Sequence, residues 1–291
     1  MKKFLATTLA FVATCAAIGF SSCDFLSNNG GGDVDLVKTI NVKLTDEEYA
    51  FVTKKSNTAL VEDFNDFFTA FKADGKFAEI VAKYFEGTGE KVGYEVTTTD
   101  VVNTEDKFVV ATNCPFEPFE YIGDDGKIYG LDIEIAAAYA EYKNLDLVIK
   151  NIDFDAIFTQ VDSGYADIGM AGITASEDRK ELYGFTQEYY EASQKLIVAA
   201  DNTDFDNCKT VEDVETVLAS LTGKKVGFQT GTTGGMYVVG DEDWGYDGFA
   251  NLVGKGYATA QEAVTDLVNG NIYAVVVDEA PANAIVNAVN N

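Results

Sequence analysis

Residues 167–180, DIGMAGITASEDRK, hold the densest set of groups able to do recognition chemistry. An apolar run ends in Gly172, Ile173 and Thr174, and a charged helix start follows with the lone Arg179. A strand ending in this way sets backbone N–H and C=O groups, a hydroxyl and a guanidinium side by side. That is the equipment for gripping a small carboxylate, because the planar guanidinium presents two parallel N–H groups to two oxygens. The competing reading of Arg179 is a solvated arginine at a helix start, where its charge opposes the macrodipole.

Other chemistry is thin. Histidine is absent, which removes the commonest general base and the commonest metal ligand at neutral pH. Cys15, Cys23, Cys114 and Cys208 have no paired CxxC spacing, so the sequence implies no metal site and no cofactor. Residues 229–235, QTGTTGG, lack the lysine and spacing of a phosphate-binding loop. They read better as a helix N-terminus that receives a carboxylate.

The elements that must position these groups need a sizeable chain, and 291 residues with 47% hydrophobic content suit two lobes. Lys and Arg number 21 against 48 Asp and Glu, a net charge of −27. With no basic patch to release counterions, nucleic acid is excluded as a partner, and so is an anionic membrane surface. Lys2 and Lys3 precede an alanine-rich apolar run over residues 4–20, then small residues and Cys23. This is a secretory signal over residues 1–22 rather than a membrane span. The polar stretch 23–33 reads as a tether of roughly 16–19 Å when flexible. Loss of residues 1–22 leaves 19 basic and 48 acidic residues, net −29. Cys114 and Cys208 fall in different expected lobes, and we read them as unpaired thiols.

Residues 34–44 alternate like a strand, and a second short strand follows the polar break at 45–48. Val61, Phe64, Phe67, Phe68 and Phe71 recur at helical spacing up to Asp74-Gly75, and a second helix runs over 76–85. Residues 87–106 are polar and without sustained period, a connector. From residue 107 strands and helices alternate: a strand at 107–113, an amphipathic helix at 131–144, a strand at 146–152, a short helix closed by Gly164, and a strand at 166–174. After 193–200 a second alternating set ends in a strand capped by Asp278 and a final helix. Such alternation implies parallel sheets covered by helices, with ligands at the carboxyl ends of strands.

Read together, VVATNCPFEPFEY, GDDGKIYGLDIEIA, FDAIFTQVDSGYADIGMAGITASEDRK, GFTQEYY, LTGKKVGFQTGTT and NGNIYAVVVDEAP resemble, in order across residues 107–282, the periplasmic amino-acid-binding proteins of ABC importers. The resemblance implies an α/β fold of two lobes, the type II periplasmic-binding-protein fold. Such proteins continue past the last of these elements with a strand crossing back and two closing helices, and here residues 40–85 resemble that segment. The resemblance therefore implies a circular permutant, with 87–106 joining the usual termini; the alternative is an independent added domain over 34–86. The expected division is 34–44 and 194–291 for one lobe, 45–86 and 107–193 for the other, with a hinge near 45–49 and 189–193. FSSC at residues 20–23 resembles a lipoprotein signal with Phe20 in place of the usual leucine, which makes Cys23 the lipidated residue; an ordinary signal cut nearby is the alternative.

By the same resemblance Arg179 pairs with a ligand carboxylate, helped by the Thr174 hydroxyl and by backbone N–H groups near Thr174 and Thr233. Asp278, with the Gly172 carbonyl, holds the ammonium; its bland role is a helix N-cap. Phe116 and Phe154 match positions that sandwich the aliphatic part of the ligand, against a plain core role. Asn113 stands where several relatives carry aspartate, and Gln229 where lysine or an apolar residue stands. An uncharged amide pair suits a neutral polar side chain such as that of glutamine or asparagine, unless Glu117 points inward and selects a cation. The implied protein is a monomer that captures an L-amino acid outside the cytoplasm, held to the membrane only by its lipid, and delivers it to an ABC permease. Rival readings are a ligand-sensing receptor module and an enzyme resembling cyclohexadienyl dehydratase, for which no poised acid or base is visible beyond Glu117 and Asp278.

Overall fold

The computed structural model describes residues 35–97 and 103–291. The expected signal, tether and Cys23 lie outside the described residues. The chain opens with β1 (Val37–Thr39), β2 (Glu47–Tyr49) and β3 (Val52–Thr53). The alternation over 34–44 buries Ile40, Val42 and Leu44, yet regular strand stops at Thr39. Val42 N–H turns back to the Ile40 carbonyl at 2.9 Å, a three-residue turn that interrupts the ladder.

Helix α1 (Thr58–Ala73) is capped by the Asn57 side chain and buries Phe64, Phe67, Phe68 and Phe71. Their i, i+3, i+4, i+7 spacing makes one apolar stripe. Gly75, at φ +80°, turns the chain into α2 (Lys76–Phe85). Glycine adopts this left-handed conformation without steric cost. The connector is not free of structure: Tyr94 bridges Ile128, Val96 bridges Ile149, and both pack on Ile128, Ile133 and Ile149.

Next come β4 (Lys107–Thr112), the hairpin β5 (Tyr121–Ile122) and β6 (Ile128–Tyr129), and α3 (Leu131–Lys143). An amphipathic helix was the expectation for α3. Instead it is buried on more than one face, Asp132 and Glu134 included. Glu134 is satisfied from the N-terminal segment, by Lys83 Nζ at 2.7 Å and Tyr84 OH at 2.8 Å. β7 (Asp146–Asn151), α4 (Phe154–Asp162), β8 (Ile168–Gly169), α5 (Glu177–Leu182), β9 (Gly184–Phe185) and β10 (Tyr190–Ala192) follow. The strand expected over 166–174 is regular over only two residues, and Gly172 at φ +54° takes the chain off the extended path before Thr174.

The remainder is β11 (Gln194–Ala199), α6 (Val211–Ser220), β12 (Lys225–Gln229), α7 (Thr233–Val239), β13 (Val253–Tyr257), α8 (Ala260–Val268), β14 (Ala274–Asp278) and α9 (Glu279–Asn290). Strand β13 is glycine-rich and has no sequence signature of its own.

These strands form two five-stranded sheets, ordered β7-β4-β8-β3-β9 and β1-β11-β14-β12-β13. In the first, β4 runs parallel to β7 and β8, while β3 is antiparallel to β8 and β9. In the second, β12 is parallel to β13 and β14, while β11 is antiparallel to β1 and β14. Each sheet anchors a lobe, so the fold is the two-lobed α/β architecture. The two-stranded ribbon β2–β10 is separate from both sheets and lies where the chain passes between them. Cys114 and Cys208 are free thiols.

Candidate functional site

The carboxyl end of β8 and the start of α5 deliver one wall of the site. Gly172 is required there: a Cβ would lie 2.5 Å from a ring carbon of Phe116. Its N–H donates to Asp132 Oδ2 at 3.1 Å. Ser176 caps α5 by accepting from Arg179 N–H, which fixes the helix turn that aims the guanidinium inward. Arg179 is 8% exposed. Its guanidinium donates to the Thr174 carbonyl at 3.0 Å and to the Gly231 carbonyl, in the other lobe, at 3.1 Å. It is ringed by Phe154, Phe158 and Trp244, at 5.7, 4.9 and 4.8 Å from the ring centroids. Burial draws its pKa down to about 10, against the opposing charges of Glu47, Asp278 and Asp155. It remains a cation at neutral pH.

The opposite wall comes from the ends of β12 and β14. Asp278 occupies the N-cap position of α9, but its side chain makes no cap bond. It accepts instead from the Tyr49 hydroxyl of β2. Burial pushes the Asp278 carboxyl up to about 7; Glu47 adds to the shift, and the bond from Tyr49 opposes it. Gln229 Nε2 donates to Asn113 Oδ1 at 2.6 Å, linking the two lobes, and Asn113 Nδ2 donates to the Ile152 carbonyl at 2.7 Å.

Asn113, Phe116, Phe154, Gly172, Thr174, Arg179, Gln229, Thr233 and Asp278 all line one pocket between the lobes. The free cavity among them is about 10 Å³. That is on the order of one water. Glu117 is exposed and does not reach the pocket.

Three residues were missed by sequence reasoning. Glu47 lay in what reads as a polar break, yet it is 7% exposed. It accepts from Thr174 Oγ1 at 2.6 Å, Thr233 Oγ1 at 2.9 Å, Thr45 Oγ1 at 2.6 Å and Gln194 Nε2 at 3.2 Å. The Thr174 and Thr233 hydroxyl protons are therefore directed at Glu47. Its only sequence signal is the in-out-in alternation of Glu47, Glu48 and Tyr49. Glu120 lines the pocket fully buried, and neither of its oxygens has a hydrogen-bond partner among the described residues. Burial, with Asp132 nearby, holds its carboxyl well above the usual range. Trp244, the single tryptophan of the chain, is carried on the acidic loop after α7 and reaches Arg179 across the cleft. A lone tryptophan among DEDWGYD was the available hint.

A two-lobed α/β protein that gathers buried charged and polar side chains on one pocket between its sheets has the layout of a small-molecule binding site. The sequence profile of the bacterial extracellular solute-binding proteins, family 3, matches residues 108–282. The chain belongs to that family. It is 29% identical to a probable histidine-binding protein of Neisseria gonorrhoeae over 185 residues, 62% of this chain and 61% of that one. It thus spans about three fifths of the length of the curated relatives it matches. Among solved structures, an ancestral arginine-binding protein bound to arginine is 33% identical, covering 65% of this chain and 77% of that chain at a TM-score of 0.55. An ancestral amino acid-binding protein described as a precursor of cyclohexadienyl dehydratase is 26% identical, covering 63% and 75%, at a TM-score of 0.54. Among the described residues no helix is long and apolar enough to cross a membrane.

Proposed function

We propose that this protein captures a free L-amino acid between its lobes outside the cytoplasm and delivers it to an ABC permease. The observation that carries the reading is the placement of buried Arg179 and buried Asp278, one from each lobe, on a single pocket. Arg179 pairs with the α-carboxylate and Asp278 with the α-ammonium, two charges that every amino acid offers and that are costly to bury singly. Phe116 and Phe154 flank the aliphatic part. Capture is a motion: the Gln229–Asn113 bond and the Arg179–Gly231 bond must open to admit a ligand to so small a space, and closure reforms the wall around it. The ribbon β2–β10 serves as the hinge. The same pocket offers no activated nucleophile or paired acid and base aimed at a reacting atom, so we favour binding over catalysis. A receptor-sensing role uses the same capture step with a different output.

For the ligand side chain, the uncharged Asn113–Gln229 pair favours a neutral polar group such as that of glutamine or asparagine. One observation favours a cationic side chain instead: Glu120 lies buried on the pocket without a partner. Relatives named for histidine and arginine agree with it. Titration calorimetry with L-glutamine, L-asparagine, L-arginine and L-histidine separates the two, and Glu120→Gln abolishes binding of a cation while leaving that of a neutral ligand. Failure of all four to bind would count against the amino-acid reading.

The chain order is read as a circular permutation. β3 sits between β8 and β9, β1 edges the other sheet, and residues Val34–Asn291 form one compact unit, which supports 34–44 and 194–291 as one lobe and 45–86 with 107–193 as the other, rather than an added domain over 34–86. A chain rebuilt with residues 35–86 placed after residue 291 should fold and bind alike. Cys23 is proposed as the lipidated first residue of a monomeric mature protein tethered to the membrane; Cys23→Ala should release it into the medium or periplasm.

A further inference from the structure

We propose that the loop over residues 240–248, carried by α7, is a preformed latch. It holds the closed lobes by seating Trp244 on Arg179, against the repulsion of acids on both sides of the cleft, and so sets how long a ligand stays. Trp244 is a positioning residue: it lines no part of the ligand pocket and acts on cargo through Arg179. The inference rests on the amino-acid reading of the pocket and adds a kinetic element to it.

The loop is braced by its own chain. Asp241 and Tyr246 exchange both backbone hydrogen bonds, at 2.9 and 3.0 Å, and Asp241 Oδ1 accepts from the Asp243 and Trp244 N–H groups at 3.1 and 3.3 Å. Its neck is pinched by Gly240 at φ +95° and Gly248 at φ +64°. A Cβ on Gly248 would fall 2.3 Å from Gly240 N, so only glycine fits there. Tyr246 packs edge-on against Tyr237 of α7, their centroids 5.9 Å apart. A tip braced in this way loses little freedom when the lobes meet. Trp244, half-buried, reaches the guanidinium of the other lobe at 4.8 Å. It also walls a second hollow of about 560 Å³, together with Glu48, Glu177, Lys180 and Glu191, and Arg179 does not open onto that hollow. The indole therefore screens Arg179 from this space, and a guanidinium kept from water holds a carboxylate more strongly. Charge opposes the latch. Partial desolvation raises the Asp178 carboxyl of α5, and Asp243, Glu181, Asp241 and Glu177 add to the shift, so acids of the loop face acids of α5. Among the described residues no lysine or arginine forms an ion pair with Asp178, Asp241 or Asp243. Closure brings these like charges together, and salt relieves them, because the screening length falls from about 30 Å at 10 mM to about 3 Å at 1 M.

The test follows uptake and release of tritiated L-arginine and L-glutamine by the unaltered protein, Trp244→Ala, Trp244→Phe and Asp243→Asn, in about 10 mM and about 1 M sodium chloride. For whichever of the two binds, Trp244→Ala should release it about threefold to thirtyfold faster, the loss of a cation resting on an indole face. Uptake should stay within about threefold of the original, since the latch acts after the lobes have met. Trp244→Phe keeps a ring on Arg179 and should recover most of the loss. Asp243→Asn removes one of the opposed acids, so it should slow release at low salt and respond less to added salt than the unaltered protein. Release from Trp244→Ala within about twofold of the original rate, or a Trp244→Phe protein that fares no better than Trp244→Ala, overturns the latch. An Asp243→Asn protein that releases at the original rate in low salt overturns it too, and this exposed change decides alone where Trp244→Ala does not fold. If the unaltered protein binds neither amino acid, the reading of the whole site fails and the latch with it, an outcome distinct from loss of the Trp244 effect alone.

Discussion

Arg179→Ala removes a guanidinium that touches two carbonyls and three aromatic rings and faces the charges of Glu47 and Asp278. Two effects follow, and they differ in size. In the ligand-free protein the variant loses two charge-assisted hydrogen bonds, about 1.5–3 kcal/mol each, together with the stacking on Phe158 and Trp244, about 0.5–2 kcal/mol. It regains the cost of keeping a cation out of water, which opposes those terms, so the net loss of stability is about 1–3 kcal/mol. At roughly 2–4 °C per kcal/mol the melting temperature falls by several degrees and the protein stays folded. In the liganded protein the α-carboxylate loses its cationic partner in the pocket and is stranded away from water. Truncating one member of a buried charge pair costs about 2–5 kcal/mol, which is about 30- to 3,000-fold in Kd. Calorimetric titration of the tightest-binding L-amino acid, with melting curves on the same samples, separates the effects. Arg179→Lys keeps the charge without the two-pronged fork and should fall between. An Arg179→Ala protein that melts several degrees lower but binds within about threefold of the original would refute the carboxylate clamp.

Asp278 and Asp132 are each raised by burial to about 7, against an ordinary value near 4. The folded state therefore holds protons that the unfolded chain releases. Their contribution to stability is fully present below about pH 4 and is lost as pH rises through about 7, at no more than about 1.4 kcal/mol per pH unit for each group. Ligand-free melting temperature should accordingly lose part of its fall between pH 5 and pH 8 in Asp278→Asn. An α-ammonium beside Asp278 favours its charged form, so binding near pH 6 should release a proton; identical heats in buffers of different ionisation enthalpy would contradict this. Trp244→Ala should weaken binding by about 0.5–2 kcal/mol through its lost stacking on Arg179, and ligand should change the emission of this single tryptophan; unchanged emission on saturation would count against a latch across the cleft. Phe64 is fully buried in α1 between Phe51, Phe67, Phe68 and Tyr139, so Phe64→Ala should cost about 3–5 kcal/mol by denaturant unfolding. A loss under 1 kcal/mol would mean that the N-terminal helices are not part of the main core.

What the sequence made legible follows from the strength of local signals. The phenylalanine stripe of α1 spans about two turns and the helix ends just before a glycine, so helix, core face and boundary could all be read. The nine pocket residues sit at ends of elements whose order was readable, and they meet on one pocket. Other features depend on contacts far away in sequence. Strands were expected around β3 and β8, but their two-residue lengths depend on which neighbours supply the ladder and not on any alternation of their own. The burial of Glu134 is tolerable only because Lys83 and Tyr84 arrive from another helix. Glu47 looks like one acid among many until Thr174, Thr233 and Gln194, each more than 120 residues away, are folded around it. Glycine-rich β13 carries too little side-chain pattern to announce a strand.

The central claim, that the pocket holds a free L-amino acid, is tested most directly by melting the purified protein in the presence of each of the common L-amino acids. A ligand at 1,000 times its Kd stabilises by about 4 kcal/mol, roughly 8–16 °C for a protein of this size. We expect such a rise with one or a few of them and none with their D-enantiomers. A folded sample whose melting temperature does not move with any L-amino acid would contradict the account.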